Sequence, residues 1–367
     1  MKAHKPQASQ IQRVVVRAPN WVGDVVMSVP ALRRLRRVLP DAQITIAARP
    51  GTADIFMEAD FIDDVLIFER SGIASVWNQI SEWRRRRFDL AVLFQNAFEA
   101  ALIAALARVP LRAGYDTERR SFLLTNPIPQ PEWKNQRHES FYYSNIVGEL
   151  ERLLSGLSSI EKIETRFGLE VSAERKQRAG QLLHEQGARA GAPLVLLCPG
   201  SINSRAKRWP AEAYAALGDR LIDSRRQVLL IGSADEAEVT QEVTNRMRRK
   251  PTVLTGKTSL DQITAVLSLV DLVVTNDTGP AHIAAALGRP TLVIFGPTNP
   301  LTTRPFAPEA EILRHPPDCA PCMLRDCPID HRCMTAITVD EVFEHSQALL
   351  KRASFAKTVR SLCDSVA

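Results

Sequence analysis

Leu272-Val273-Val274-Thr275-Asn276-Asp277-Thr278-Gly279-Pro280-Ala281-His282 is the stretch whose reading decides the fold. An unbroken apolar, β-branched run passes into polar turn residues, and a Gly-Pro pair then opens a segment of helical composition. Continuous apolar residues, as opposed to alternating ones, belong to a strand covered on both faces, and therefore to a parallel sheet between helices. In such sheets ligands bind at the carboxyl ends of the strands, where these polar residues fall. His282 lies one turn into the helix, placed to donate to a phosphate or hydroxyl, although a lone His is more often a satisfied core residue.

The same rhythm extends in both directions. Leu194–Leu197, Val228–Ile231, Thr252–Leu254 and Thr291–Phe295 alternate with amphipathic stretches, as do Val14–Val16, Ile44–Ala47, Val65–Phe68, Leu90–Phe94 and Arg112–Tyr115 nearer the N-terminus. Ser259 with Gln262 and Thr338 with Glu341 fit the capping-box pattern, and Pro210 suits a first helical turn. The helix opened by Thr338 is expected to run to about Arg352. Between the two series, Asp116–Glu139 carries Pro127, Pro129, Pro131 and a group of basic residues, which reads as a functional loop followed by a polar helix and linker.

A chain of 367 residues exceeds what one core organises. The expected division is a flexible tail over 1–12, a Rossmann-like domain over 13–171, a second Rossmann-like domain over 172–345, and a helical tail over 346–367 that returns to the first domain. Two such α/β domains facing each other put the ligand in a cleft. Apolar residues make up 45% and charged residues 24% of the chain, which excludes a disordered protein. No apolar run approaches the ~20 residues that cross a bilayer, and residues 1–12 lack the apolar core of a secretory signal, so a cytoplasmic protein is expected. A net charge of +6 points to an anionic partner without choosing between nucleic acid, a phosphorylated lipid surface and an acidic glycolipid.

Three segments carry chemistry. After the first strand, Arg17-Ala18-Pro19-Asn20-Trp21-Val22-Gly23-Asp24 leads into an amphipathic helix, so Asp24 stands at a strand-to-helix junction as either a cap or a general base. Pro30 leaves two helix starts open, near Asp24 with a kink or after Ser28. Cys198-Pro199-Gly200-Ser201, followed by Asn203, Lys207 and Arg208 before a helix, has the composition of a diphosphate-holding loop, though a solvated basic loop would read similarly. Arg112, Arg119, Arg120, Lys134, Arg137 and His138 surround the irregular first-domain loop and are candidates for a phosphorylated acceptor. The runs Arg33-Arg34-Arg36-Arg37 and Arg84–Arg87 read as solvated faces, with contact to an anionic membrane surface as the functional alternative.

Cys319, Cys322, Cys327 and Cys333, with His331 among them, have the spacing Cys-x2-Cys-x4-Cys-x5-Cys. The set is chemically able to bind structural zinc, but its second half lacks the CxxC knuckle, and reduced cysteines in a packed loop are the expected state.

Asn20–Asp24, Lys207-Arg208-Trp209-Pro210, Asn276–His282 and Gly296-Pro297-Thr298 together resemble the ADP-heptose:lipopolysaccharide heptosyltransferases, from about residue 13 to 345. Trp21 and the cysteine-rich Cys319–Met334 are more similar to the heptosyltransferase II branch than to branch I, which carries a Thr pair where this chain has Ile202 and Asn203. The resemblance implies a glycosyltransferase B-type fold and an inverting transfer of heptose from ADP-heptose to the heptosyl-Kdo2-lipid A core, with no cofactor and no catalytic metal. It gives Asp24 the role of base and Lys207 that of diphosphate ligand. Ser201, Asn203, Asp277, Thr278, Gly279 and His282 become donor contacts, and Glu236 a ribose contact. Two other classes stand against it: a nucleotide-sugar epimerase or hydrolase on the same fold, and a basic nucleic-acid-binding protein, for which the loops lack interleaved aromatics.

Overall fold

The computed structural model describes residues 7–69, 71–156, 167–189 and 191–364. The chain divides between Phe167 and Gly168 into two compact units. The first contains β1 (Arg13–Arg17), α1 (Val22–Val38), β2 (Gln43–Ala48), β3 (Asp64–Ile67), α2 (Ile73–Arg86), β4 (Leu90–Leu93), α3 (Phe98–Leu106), β5 (Leu111–Tyr115), β6 (Asn126–Ile128) and α4 (Glu139–Ser155). Its sheet runs β3-β2-β1-β4-β5-β6, all parallel. Val14, Val15 and Val16 are fully buried, as a strand covered by helices on both faces requires.

The second unit holds α5 (Ala173–Glu185), β7 (Leu194–Cys198), α6 (Ala211–Asp223), β8 (Gln227–Leu230), α7 (Ala237–Arg246), β9 (Thr252–Val253), α8 (Leu260–Leu267), β10 (Leu272–Asn276), α9 (Gly279–Ala286), β11 (Thr291–Ile294), β12 (Ala310–Leu313) and α10 (Val339–Asp364). The order β12-β11-β10-β7-β8-β9 repeats that of the first unit, again all parallel. Strand order therefore reverses between β1 and β4 in one unit and between β7 and β10 in the other. At these switch points adjacent loops leave in opposite directions and open a crevice at the carboxyl ends of the strands.

Several boundaries differ from those the sequence predicts. Helix α1 starts at Val22 and continues through Pro30, which settles the open choice in favour of the earlier start. Helix α10 runs on to Asp364 instead of stopping near Arg352, because no Gly or Pro interrupts it, and residues 346–364 of the expected separate tail are its continuation, while 365–367 lie outside the described residues. In the N-terminal tail, Ala8–Gln10 form a helical turn and Ile11 is buried, while residues 1–6 lie outside the described residues. The edge strands β6 and β12 had no sequence counterpart. Each is short, and β6 contains a Pro that only an edge tolerates.

Candidate active site

The crevice between β7 and β10 is built around Asn276, the last residue of β10 and fully buried. Its Oδ1 accepts from the Trp209 backbone N–H at 3.0 Å and lies 3.1 Å from the Tyr214 hydroxyl. Its Nδ2 donates to the carbonyls of Pro199 (2.9 Å) and Gly200 (3.2 Å). One amide thus ties together the loop after β7, the entry to α6 and the loop after β10. Replacing it with Ala strands several buried polar groups, each at a cost of about 1–3 kcal/mol. Asn276→Ala is expected to lose about 3 kcal/mol and to lower the melting midpoint by roughly 6–12 °C. A drop under 2 °C in a thermal melt would show that the three loops hold without it.

Lys207 lies against this latch. Its ammonium donates to Asp277 twice, to the carbonyl and to Oδ2, each at 3.1 Å. The same Oδ2 accepts from the Thr298 hydroxyl at 2.7 Å. Asp277 is buried and Lys207 about a quarter exposed, so the carboxylate fixes the base of an ammonium whose other side remains accessible. The site also reaches Gly279, which opens α9 behind the N-cap Thr278, at the end of a helix that favours anions. Thr278 turns its hydroxyl inward, to the Asn276 carbonyl (3.3 Å) and to Thr275 (3.2 Å). His282 is buried within the first turn and a half of α9.

The remaining donor candidates separate by burial. Ser201 is buried, and its carbonyl accepts from the Arg208 guanidinium at 3.0 Å, whereas Asn203 is exposed. Glu236 is buried. Its Oε2 accepts from the Ser233 N–H (2.8 Å) and hydroxyl (3.1 Å), and its carboxylate lies against Gly200. A Cβ on Gly200 would stand 2.2 Å from Glu236 Oε1, so a larger residue there would have to displace the Glu236 carboxylate. Burial, and then the Glu236 charge, push the Cys198 thiol up to about 12, which makes it part of the floor and not a nucleophile.

The loop bearing Lys207 is clipped to the cysteine-rich segment. Ala206 N–H donates to the Arg325 carbonyl at 2.9 Å, Ser204 Oγ donates to Leu324 and Arg325 carbonyls at 3.2 Å, and Arg205 pairs with Asp326 at 2.7 Å. His331 Nε2 lies 2.6 Å from the Ala206 carbonyl. Cys319, Cys322, Cys327 and Cys333 are free thiols that, with His331, line a small cavity beside Ala206 and Pro297. Among the described residues, no group of three or more His, Cys, Asp or Glu side chains is arranged to hold a metal ion.

In the first unit, Asp24 occupies the third position of α1, just beyond β1, and accepts from the Tyr143 hydroxyl at 3.2 Å. Exposed Trp21 caps the same helix without a side-chain hydrogen bond. Exposed Phe98 opens α3 beyond β4 and meets exposed Phe122 with ring centroids 6.1 Å apart. Phe98, Phe122 and Tyr143 were not anticipated, since nothing local distinguishes them from ordinary core or surface aromatics.

Three acceptor candidates prove to be internal supports. Arg120 is fully buried, donating to the carbonyls of Tyr115 and Gln95 and to Asn96 Oδ1, and burial pushes it down to about 10. Arg112 donates to the carbonyls of Leu123 and Val109. His138 is the buried N-cap of α4, accepting from Ser140 N–H at 3.2 Å. Lys134 is held by Glu139 and lies 3.8 Å from the Tyr142 ring centroid. Arg119 and Arg137 remain exposed. Five members of the arginine runs are in ion pairs: Arg33 with Asp60, Arg34 with Glu151, Arg36 with Asp63, and Arg85 and Arg86 with Glu82.

Two Rossmann-type units, each with polar groups gathered at its switch point, place the chain among the glycosyltransferases of B-type fold. Residues 76–332 match the model of glycosyltransferase family 9 (heptosyltransferase), and the chain belongs to that family. It is 29% identical over 328 residues to lipopolysaccharide heptosyltransferase 2 of Escherichia coli K12, covering 82% of this chain and 88% of that protein. It is 28% identical over 317 residues to the protein of the same name from Salmonella typhimurium LT2, with the same coverage. Among solved structures it is similar to E. coli ADP-heptose LPS heptosyltransferase II, with a TM-score of 0.80 and 26% identity over 94% of this chain and 100% of that one.

Proposed function

We propose that this enzyme transfers heptose from ADP-heptose to a heptose already carried by the Kdo-lipid A inner core of lipopolysaccharide, the heptosyltransferase II reaction. The observation that carries the reading is the Lys207 ammonium held by Asp277 at the β7/β10 switch point, beside the start of α9. Both stabilise charge where a departing diphosphate gathers it. Asp24 removes the proton from an acceptor hydroxyl, whose oxygen attacks the anomeric carbon from the face opposite ADP. The carbon–phosphate oxygen bond breaks, ADP leaves and the configuration inverts. On the acceptor side, Trp21, Phe98 and Phe122 offer apolar surfaces to sugar faces, and exposed Arg119 and Arg137 offer charge to phosphate. Among the described residues no helix is long and apolar enough to cross a membrane. We place the reaction at the cytoplasmic face, where the growing core lipid is reached from the aqueous side.

ADP release from ADP-heptose is expected only when a heptose-bearing Kdo-lipid A acceptor is present. Equal turnover on an acceptor lacking heptose would move the enzyme to the heptosyltransferase I reaction. Release without any acceptor would make it a hydrolase.

A further inference from the structure

Helices α1 and α4 of the first unit run side by side and are joined by polar contacts at two points along their length. At one, Tyr143 donates its hydroxyl to Asp24 Oδ1 at 3.2 Å; at the other, Arg34 is paired with Glu151. The order is the same on both helices, so they run parallel and the two contacts fix their register. Tyr143 is itself buried, its ring 5.4 Å from that of Phe94, which follows β4. Buried as it is, the Tyr143 hydroxyl requires an acceptor, and the one it takes, 119 positions away, is the single carboxylate in the first turn of α1.

We infer that Tyr143 is a positioning residue for Asp24: its hydroxyl holds the carboxylate in one rotamer and stabilises its charged form, the form that takes the acceptor proton. This rests on the reading of Asp24 as the base. Burial, then the Asp24 charge, raise the Tyr143 hydroxyl well above its usual range, so it stays protonated and remains a donor. Tyr142 and Glu139 of α4 also act on the Tyr143 hydroxyl; Glu139 is paired with Lys134, and the Phe94 ring against Tyr143 brings no charge.

The test is Tyr143→Phe in the full-length enzyme, assayed alongside Asp24→Asn and the double variant. A hydrogen bond donated to a carboxylate favours its charged form, so removing it makes the base protonate at higher pH. Turnover at saturating substrates should fall about 10-fold and the acid limb of its pH profile should move up by about one unit, with ADP-heptose affinity unchanged. In the Asp24→Asn background the same hydroxyl should have no further effect, since its action passes through the carboxylate. Unchanged turnover and an unmoved acid limb, or a rate loss that persists undiminished in the Asp24→Asn background, would overturn the inference while leaving Asp24 as base. Near-normal turnover of Asp24→Asn alone would instead overturn the base itself. If Tyr143→Phe fails to fold, 3-fluorotyrosine introduced at position 143 keeps the ring and gives a stronger donor; the acid limb should then move to lower pH, and an unmoved limb would count against the inference.

Discussion

Asp24→Asn lowers turnover by about 10²- to 10⁴-fold, the usual contribution of a positioned base. A helix cap and a base make opposite forecasts for this substitution. Asn keeps the size of the side chain, can still cap, and retains a carbonyl oxygen for the Tyr143 hydroxyl now bound at 3.2 Å, so the melting midpoint should barely move. ADP-heptose binding should also persist, because the groups assigned to the phosphates, Lys207 and the start of α9, belong to the second unit. Single-turnover rate and thermal midpoint measured on one preparation decide the matter. A destabilised protein with near-normal rate would make Asp24 structural and return the search for a base to the loop between β5 and α4.

Lys207→Ala is expected to weaken ADP and ADP-heptose binding by about 10- to 150-fold, corresponding to the roughly 1.5–3 kcal/mol of a charge-assisted hydrogen bond. The substitution has a second effect, since it leaves Asp277 buried with its negative charge supported by Thr298. An uncompensated buried carboxylate destabilises the fold and repels the diphosphate. The variant Lys207→Ala/Asp277→Asn separates the two effects: its melting midpoint should recover while its affinity for ADP stays weak. Calorimetry with ADP reads the outcome directly. Affinity equal to that of the unmodified enzyme in either variant would place Lys207 outside the diphosphate site.

Most of the fold was legible because strands covered on both faces announce themselves as unbroken apolar runs; ten strands emerged at their predicted places, eight of them interior to their sheets. β6 and β12 did not, since at these edges Pro127 and Glu311 interrupt the apolar run, whereas the edges β3 and β9 keep theirs. The donor side of the site was legible for a related reason: its polar residues interrupt apolar sequence at strand ends, where only a ligand or a latch explains them. What could not be read was which of the two each residue serves. Asn276 spends the hydrogen bonding described for it on neighbouring loops, and Thr278 and Glu236 turn theirs onto their own turns. Arg112 and Arg120 misled for a simple reason. A basic side chain in a proline-rich loop looks the same in sequence whether it faces solvent or closes over backbone carbonyls, and here it does the latter. Tyr143 was beyond reach, because its meaning lies in a partner 119 positions away.

The clip between residues 204–206 and the cysteine-rich segment bears on how such enzymes can be recombined. Ala206, Ser204 and Arg205 are all anchored to Leu324, Arg325 and Asp326, so the peptide that presents Lys207 is one half of a two-part splint whose halves lie about 120 positions apart. A chimera that imports the Lys207 loop alone from a relative would set a foreign half against a resident one, and the ammonium would lose its fixed height above Asp277. Exchange of donor preference between family members therefore has to carry both halves together, and sequence variation in the two segments should be correlated wherever the enzyme is functional.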